Sequence, residues 1–171
     1  MIKLVNLEFI KPHLMNLLPT LVRTIFASTL FLFFWKSALT KFDGPFTLST
    51  GAYFQIFPKT MEALGYDPSQ LSIFHHLIAY FGGVAEFVLP VLIVIGLFTR
   101  LSAIAMIGFL AVLTFVDIYG HGVATGALFD GNPSGIVADQ RLYWLMSMVT
   151  LAAFGGGYLS LDRIIGIRDE T

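Results

Sequence analysis

Between Gln70 and Asp117 the chain carries only two charged side chains, Glu86 and Arg100, in a run otherwise rich in Leu, Ile, Val, Phe, Ala and Gly. A helix rises about 1.5 Å per residue, so about 20 uncharged apolar residues cross about 30 Å of hydrocarbon. The run holds two such lengths, about 77–98 and 101–120, with Thr99 and Arg100 alone between them, which predicts a tight antiparallel helical hairpin. The same pattern predicts a first span over about 21–40, with Arg23 and Lys36 near enough to its ends to reach an interface. A fourth is expected over about 142–161, bracketed by Arg141 and Asp162. The expected fold is all-α and integral to the membrane: a four-transmembrane-helix bundle, one domain over residues 1–171.

Composition narrows the function classes. Hydrophobic residues make up 56% of the chain and charged ones 12%, against about a quarter charged in ordinary soluble domains, so the lipid bilayer is the expected partner. Ten Lys+Arg against eleven Asp+Glu give no field that would draw nucleic acid. With no cysteine, the chain itself carries no disulfide, iron–sulfur cluster, thiolate zinc or CxxC exchange.

The connections differ in length. Residues 41–76 place Gly44-Pro45, Pro58 and the Asp67-Pro68 turn signal around an apolar segment, 52–64, interrupted by Lys59 and Glu62. This reads as a short interfacial or re-entrant helix between the first and second spans. Residues 119–139 hold five glycines and Pro133 and read as a polar loop or cap. Ahead of the first span, Lys3 and Lys11 among Ile2, Leu4, Val5, Phe9 and Ile10 suit an amphipathic surface segment. A signal peptide fits poorly, because the apolar run is too long for a signal core and no small-x-small site follows it. With both termini cytoplasmic, Lys3, Lys11, Arg23, Arg100, Arg163 and Arg168 lie inside and Lys36, Lys41, Lys59 and Arg141 outside, the orientation expected in a cell inner membrane.

Glu86 is the most informative residue, since an unpaired carboxylate inside an apolar helix is expensive. Four residues on, Pro90 has no N–H to give the Glu86 carbonyl, which predicts a kink. The carboxylate is either one pole of a ligand or proton site or a tie to Lys41, Lys36 or an Arg that fixes bundle register. His75-His76 read as a proton path toward Glu86 or as solvated anchors. Asp117 and His121 share a face if the third helix continues, which would tune a proton acceptor. Two such ligands without a third make no metal site. Trp35 and the many Tyr and Phe residues are belt anchors or the walls of a slot for a flat lipid-soluble ring such as a quinone, its oxygens bonded by Lys41, Glu86 or His121.

Taken together, these pieces resemble the DoxX family of small four-helix membrane proteins. Arg23 opens the first span and Lys41-Phe42 closes it; Ala85-Glu86 runs to Gly96-Leu97-Phe98-Thr99-Arg100; His121 follows the third helix; and Gly155-Gly156-Gly157-Tyr158-Leu159-Ser160-Leu161-Asp162 is similar to the family's GPG-x-x-SLD ending. The chain departs at Lys36-Ser37-Ala38, where many relatives have glycine, and at Gly156 in place of proline. The resemblance implies an accessory subunit of a quinone-linked redox or stress-response system.

From the residues and the resemblance together, the expected ligand or proton site is Glu86, Lys41, His121, Asp117 and Arg100, with His75, Lys36, Arg141 and Trp35 secondary. No iron–sulfur cluster is expected, and catalysis by this chain alone is not. Membrane-complex partners or a homo-oligomer fit an accessory role; a small proton-coupled transporter or a structural assembly partner is the alternative.

Overall fold

The computed structural model describes residues 7–45 and 47–167, with side chains from Met15 onward. The amphipathic reading of Lys3 and Lys11 lies outside those described side chains. Helix α1 (Leu7–Thr29) runs into α2 (Phe31–Leu39) with a 45° bend at the break. Main-chain hydrogen bonds persist through it, from Leu30 N to Phe26 O (2.9 Å) and from Phe34 N to Leu30 O (3.1 Å). Two short helices follow, α3 (Thr50–Ile56) and α4 (Pro58–Ala63). Ser49 caps α3 by accepting from Ala52 N at 3.1 Å, and Pro58 starts α4 where a missing N–H costs nothing. The segment read as one short helix is therefore two.

The long pair is α5 (Ile73–Ile95) and α6 (Thr99–Phe115), the latter extended by a π-helical turn over Val116–Gly120. The turn between them lies at Gly96–Phe98, so Thr99 and Arg100 already form the first turn of α6. Gly96 ends α5 at φ 69°. Gly96 N bonds Ile93 O (3.2 Å) and Leu97 N bonds Leu92 O (3.0 Å), which occupies the last carbonyls and explains the glycine. α5 stays one helix through Pro90.

A second π turn, Ile136–Arg141, leads into α7 (Leu142–Phe154), and a short α8 (Leu161–Ile164) follows. The fourth span expected over 142–161 is cut short. Gly155 and Gly157 take φ 76° and 73°, a region closed to most side chains, and end the helix after 13 residues. Among the described residues two helices, Ile73–Ile95 and Thr99–Gly120, are long and apolar enough to cross a membrane; the bent pair Met15–Thr29 and Phe31–Leu39 adds a third if it counts as one span.

Five helices meet in one core: Phe26 and Phe34 from the bent pair, Ile93 from α5, Met106 and Leu110 from α6, and Met148 and Leu151 from α7. A second cluster, Tyr53, Met61, Leu71 and Ala79, holds α3 and α4 against the first half of α5. Many large apolar side chains remain outward, among them Leu101, Phe74 and Tyr143, as a bilayer solvent requires.

Candidate functional site

Two polar clusters lie within this apolar frame. One gathers around the α5–α6 turn. Arg23, expected at an interface, is buried instead. Its guanidinium donates to Ile93 O (2.8 Å), Val94 O (2.5 Å), Gly156 O (2.8 Å) and Leu159 O (2.7 Å). Two of these carbonyls stand in the last turn of α5, where intrahelical donors run out, and two in the segment between α7 and α8. Beside it, Asp162 accepts from Phe98 N (2.6 Å), Thr99 N (2.8 Å) and Thr99 Oγ1 (2.7 Å), closing the start of α6. All donors of this cluster go to main chain or to each other, so its chemistry is that of a clamp. Arg100 stands in the same first turn of α6 and takes no part in the second cluster.

The second cluster is built where α2 stops. Lys41 lies just past the α2 end, and its ammonium reaches Glu86 Oε2 on α5 at 2.6 Å, with the two side chains 9% and 2% exposed. Lys41 Nζ also donates to Ser37 Oγ (3.1 Å) and to Gln55 Oε1 of α3 (3.1 Å). Gln55 Nε2 in turn donates to Thr40 Oγ1 at 3.1 Å. Close approach of the 41–42 corner to α5 depends on Gly83, where a Cβ would come within 2.8 Å of the Phe42 ring. A buried pair with additional hydrogen bonds is the form in which two charges survive at low dielectric.

The pair sits at one side of a cavity of about 540 Å³ between α5 and α6, roofed by Gln55 and Ile56 of α3. That volume is within the usual range of small-molecule sites, about 300–1,000 Å³. Small residues, Gly82, Ala85, Ala105 and Gly108, leave the space open, and Leu89, Phe109 and Val112 wall it. Along its outer edge Phe81 and Val112 are 64% and 58% exposed, so the cavity borders the apolar exterior of the molecule.

The remaining candidates lie around this centre rather than in it. His121 Nε2 meets Gln55 O at 2.8 Å, joining the π turn after α6 to the residue that holds Lys41. Asp117 does not pair with His121; its carboxylate takes the Arg141 guanidinium, which also lies 4.7 Å above the Trp144 ring. The Asp117–Arg141 contact ties the two π turns together. His75 Nδ1 bonds Ser72 Oγ (2.8 Å) and its ring packs on Phe57, while His76 Nδ1 meets Tyr53 OH at 2.7 Å. Burial pushes the Tyr53 hydroxyl above its ordinary pKa, so it keeps its proton. Lys36 is exposed on α2, leaving Lys41 as the partner of Glu86. Trp35 packs edge-on against Phe87, ring centroids 5.1 Å apart. Among the described residues, no three His, Cys, Asp or Glu side chains gather as a metal site would require.

Reading the sequence missed Gln55, Ser37 and Gly108. Gln55 carries a local signal, being the one amide in the apolar stretch 51–57. Ser37 and Gly108 carry none, because their part depends on which neighbour the fold brings opposite them.

No curated protein and no solved structure matches the chain. A family model, DoxX, matches residues 18–117, a segment that contains Arg23, Lys41, Glu86, Arg100 and Asp117 and ends before His121. That match covers more than half of the 171 residues and includes both partners of the Lys41–Glu86 pair, and the chain belongs to the DoxX family.

Proposed function

We propose that this protein is an accessory subunit of an inner-membrane redox or stress-response system, and that it binds a quinone-like lipid or similar small ligand beside Lys41 and Glu86. The observation that carries the reading is an apolar cavity of about 540 Å³ with a single buried ion pair on its wall. Sites for small ligands combine mostly apolar walls with a few placed polar groups. A flat apolar ring fits between the small residues of α5 and α6; Ser37, Lys41, Gln55 and Glu86 are the groups that would orient it. His121 acts indirectly, through Gln55.

The proposal includes a single domain over 1–171 crossing the membrane four times with both termini cytoplasmic. The fourth crossing would use Ile136–Arg141 and Leu142–Phe154 end to end, which is about 28 Å at the helical rise. The orientation rests on the positively charged residues flanking the spans.

A second reading, a structural tie or assembly partner, is favoured by the pair itself, because Lys41 joins α2, α3 and α5 through Ser37, Gln55 and Glu86. Glu86→Gln separates the two. Either reading predicts a lower melting temperature in detergent, because the buried Lys41 ammonium loses its carboxylate. A binding site predicts in addition that the remaining folded protein has lost its ligand, whereas a tie alone predicts that whatever is bound to it is unchanged.

A further inference from the structure

Which ligand head the cavity accepts follows from counting protons and lone pairs at its polar wall. An ammonium has three N–H donors, and four oxygens surround that of Lys41: Ser37 Oγ (3.1 Å), Gln55 Oε1 (3.1 Å) and Ser37 O (3.5 Å), to which it donates, and Glu86 Oε2, its ion-pair partner at 2.6 Å. The strongest donor in the site is therefore occupied. The Glu86 carboxylate is the reverse case. It has about four acceptor positions, and among the described residues only the Lys41 ammonium approaches it. Two neutral donors remain among the residues that line the same cavity: the Ser37 hydroxyl hydrogen and the second Nε2 hydrogen of Gln55, whose first goes to Thr40.

A hydroxyl group matches this arrangement on both sides, donating to Glu86 and accepting from Ser37 or Gln55. A ketone carbonyl or an ether oxygen meets only the neutral donors and leaves the carboxylate with its one ion pair. Hydrogen bonds to a charged acceptor are about twice as strong as neutral ones, which sets the preference.

The rest of the ligand is set by the shape of the cavity. Glu86 and Gly108 are each eleven residues from Leu97 in the α5–α6 turn, so they stand at the same level of the antiparallel pair. A Cβ on Gly108 would meet nothing within 4 Å, although Gly108 lines the cavity. The slot extends along α6 from Ala105 to Val116, about 16 Å of helix, and its edge borders the apolar exterior at Phe81 and Val112.

We infer that the cavity takes a single-chain amphiphile whose head is a hydrogen-bond-donating hydroxyl, phenolic or alcoholic, seated between Glu86 and Gly108 with its tail along α6 and entering from the hydrocarbon. This rests on the ligand-site reading above and, within it, favours a hydroxyl-bearing head, such as that of a reduced quinol, over the oxidised quinone.

The full chain in phosphatidylcholine nanodiscs, titrated with para-decylphenol, its methyl ether and a decyl-substituted benzoquinone and read by native mass spectrometry, tests it. The phenol is expected to bind saturably at one per chain, about tenfold or more tighter than the ether or the quinone. Gly108→Leu, which fills the slot without touching the ion pair, is expected to abolish that adduct while its melting temperature stays at or above that of the wild type. Ether or quinone binding as tightly as the phenol would overturn the donor-head inference and leave the ligand-site reading standing. A phenol adduct unchanged in Gly108→Leu would place the binding elsewhere and overturn the inference as well. No saturable binding by any of the three would overturn both.

Discussion

Asp162 caps a helix that begins 63 residues before it: its carboxylate receives the main-chain N–H groups of Phe98 and Thr99 and the Thr99 hydroxyl. The chain beyond α7 thus closes the turn between α5 and α6, and Asp162 N returns a bond to Gly96 O at 2.9 Å. Removing a cap side chain costs about 0.5–2 kcal/mol, with more when the freed N–H groups stay buried. Asp162→Ala is expected to lower the melting temperature in detergent clearly, and Thr99→Val by less, since it deletes one of the three contacts. Thermal unfolding followed by circular dichroism measures both.

Arg23 holds the same end from the other side with a planar fork matched to four carbonyls. An ammonium has neither the reach nor the geometry to replace it. Arg23→Lys is therefore expected to destabilise the fold by about 2–4 kcal/mol, the loss of several hydrogen bonds from a charged donor. Gly96→Ala should act in the same direction, because its Cβ would fall 2.6 Å from Arg23 Cζ at a positive φ. A lysine variant with wild-type melting behaviour would contradict the clamp.

The Lys41–Glu86 pair predicts non-additivity. Lys41→Met leaves a buried carboxylate without its cation and is expected to cost about 3–5 kcal/mol. The double variant Lys41→Met with Glu86→Leu should recover much of that loss, because no charge then remains to be solvated. Unfolding free energies of the four proteins in the cycle give the coupling; simple additivity would contradict a direct pair.

Asp117 and Arg141 fasten the two π turns at either end of the 121–135 loop. Asp117→Ala should leave the long helices intact while hydrogen exchange quickens over 121–141, the segment that this contact closes. Unchanged exchange there would show that other contacts hold the loop.

Much of this architecture was legible because apolar run length is a direct physical requirement of a bilayer. Helices α5 and α6 follow from it within a few residues, and Glu86 stands out because a carboxylate in such a run needs a partner. The helix expected to run to 161 ends at Phe154 for a definite reason. The apolar run continues past Phe154, but hydropathy does not register that Gly155 and Gly157 adopt positive φ. Arg23 was assigned to an interface by its position near the end of a run, whereas its place depends on carbonyls from α5 and the 156–159 segment that come together only in three dimensions. The pairing of Asp117 with Arg141 rather than His121 has the same origin: the helix ends at Gly120, before His121, and Arg141 comes beside Asp117 only in three dimensions.

Orientation can be measured cleanly because the chain has no cysteine. Asn132→Cys, in the 121–135 loop, should react with a membrane-impermeant maleimide added to intact cells. Labelling only after the membrane is broken would invert the proposed topology.

The central claim is that the cavity beside Lys41 and Glu86 is a ligand site, and the most direct measurement is of what the protein carries out of its own membrane. Extraction in mild detergent, followed by absorbance spectra and mass spectrometry of the bound small molecules, should reveal one lipid-soluble ligand in stoichiometric amount, lost from Gly108→Leu. A colourless protein whose extract holds only bulk lipid, the same in wild type and variant, would contradict the claim and leave the ion pair as a tie between helices.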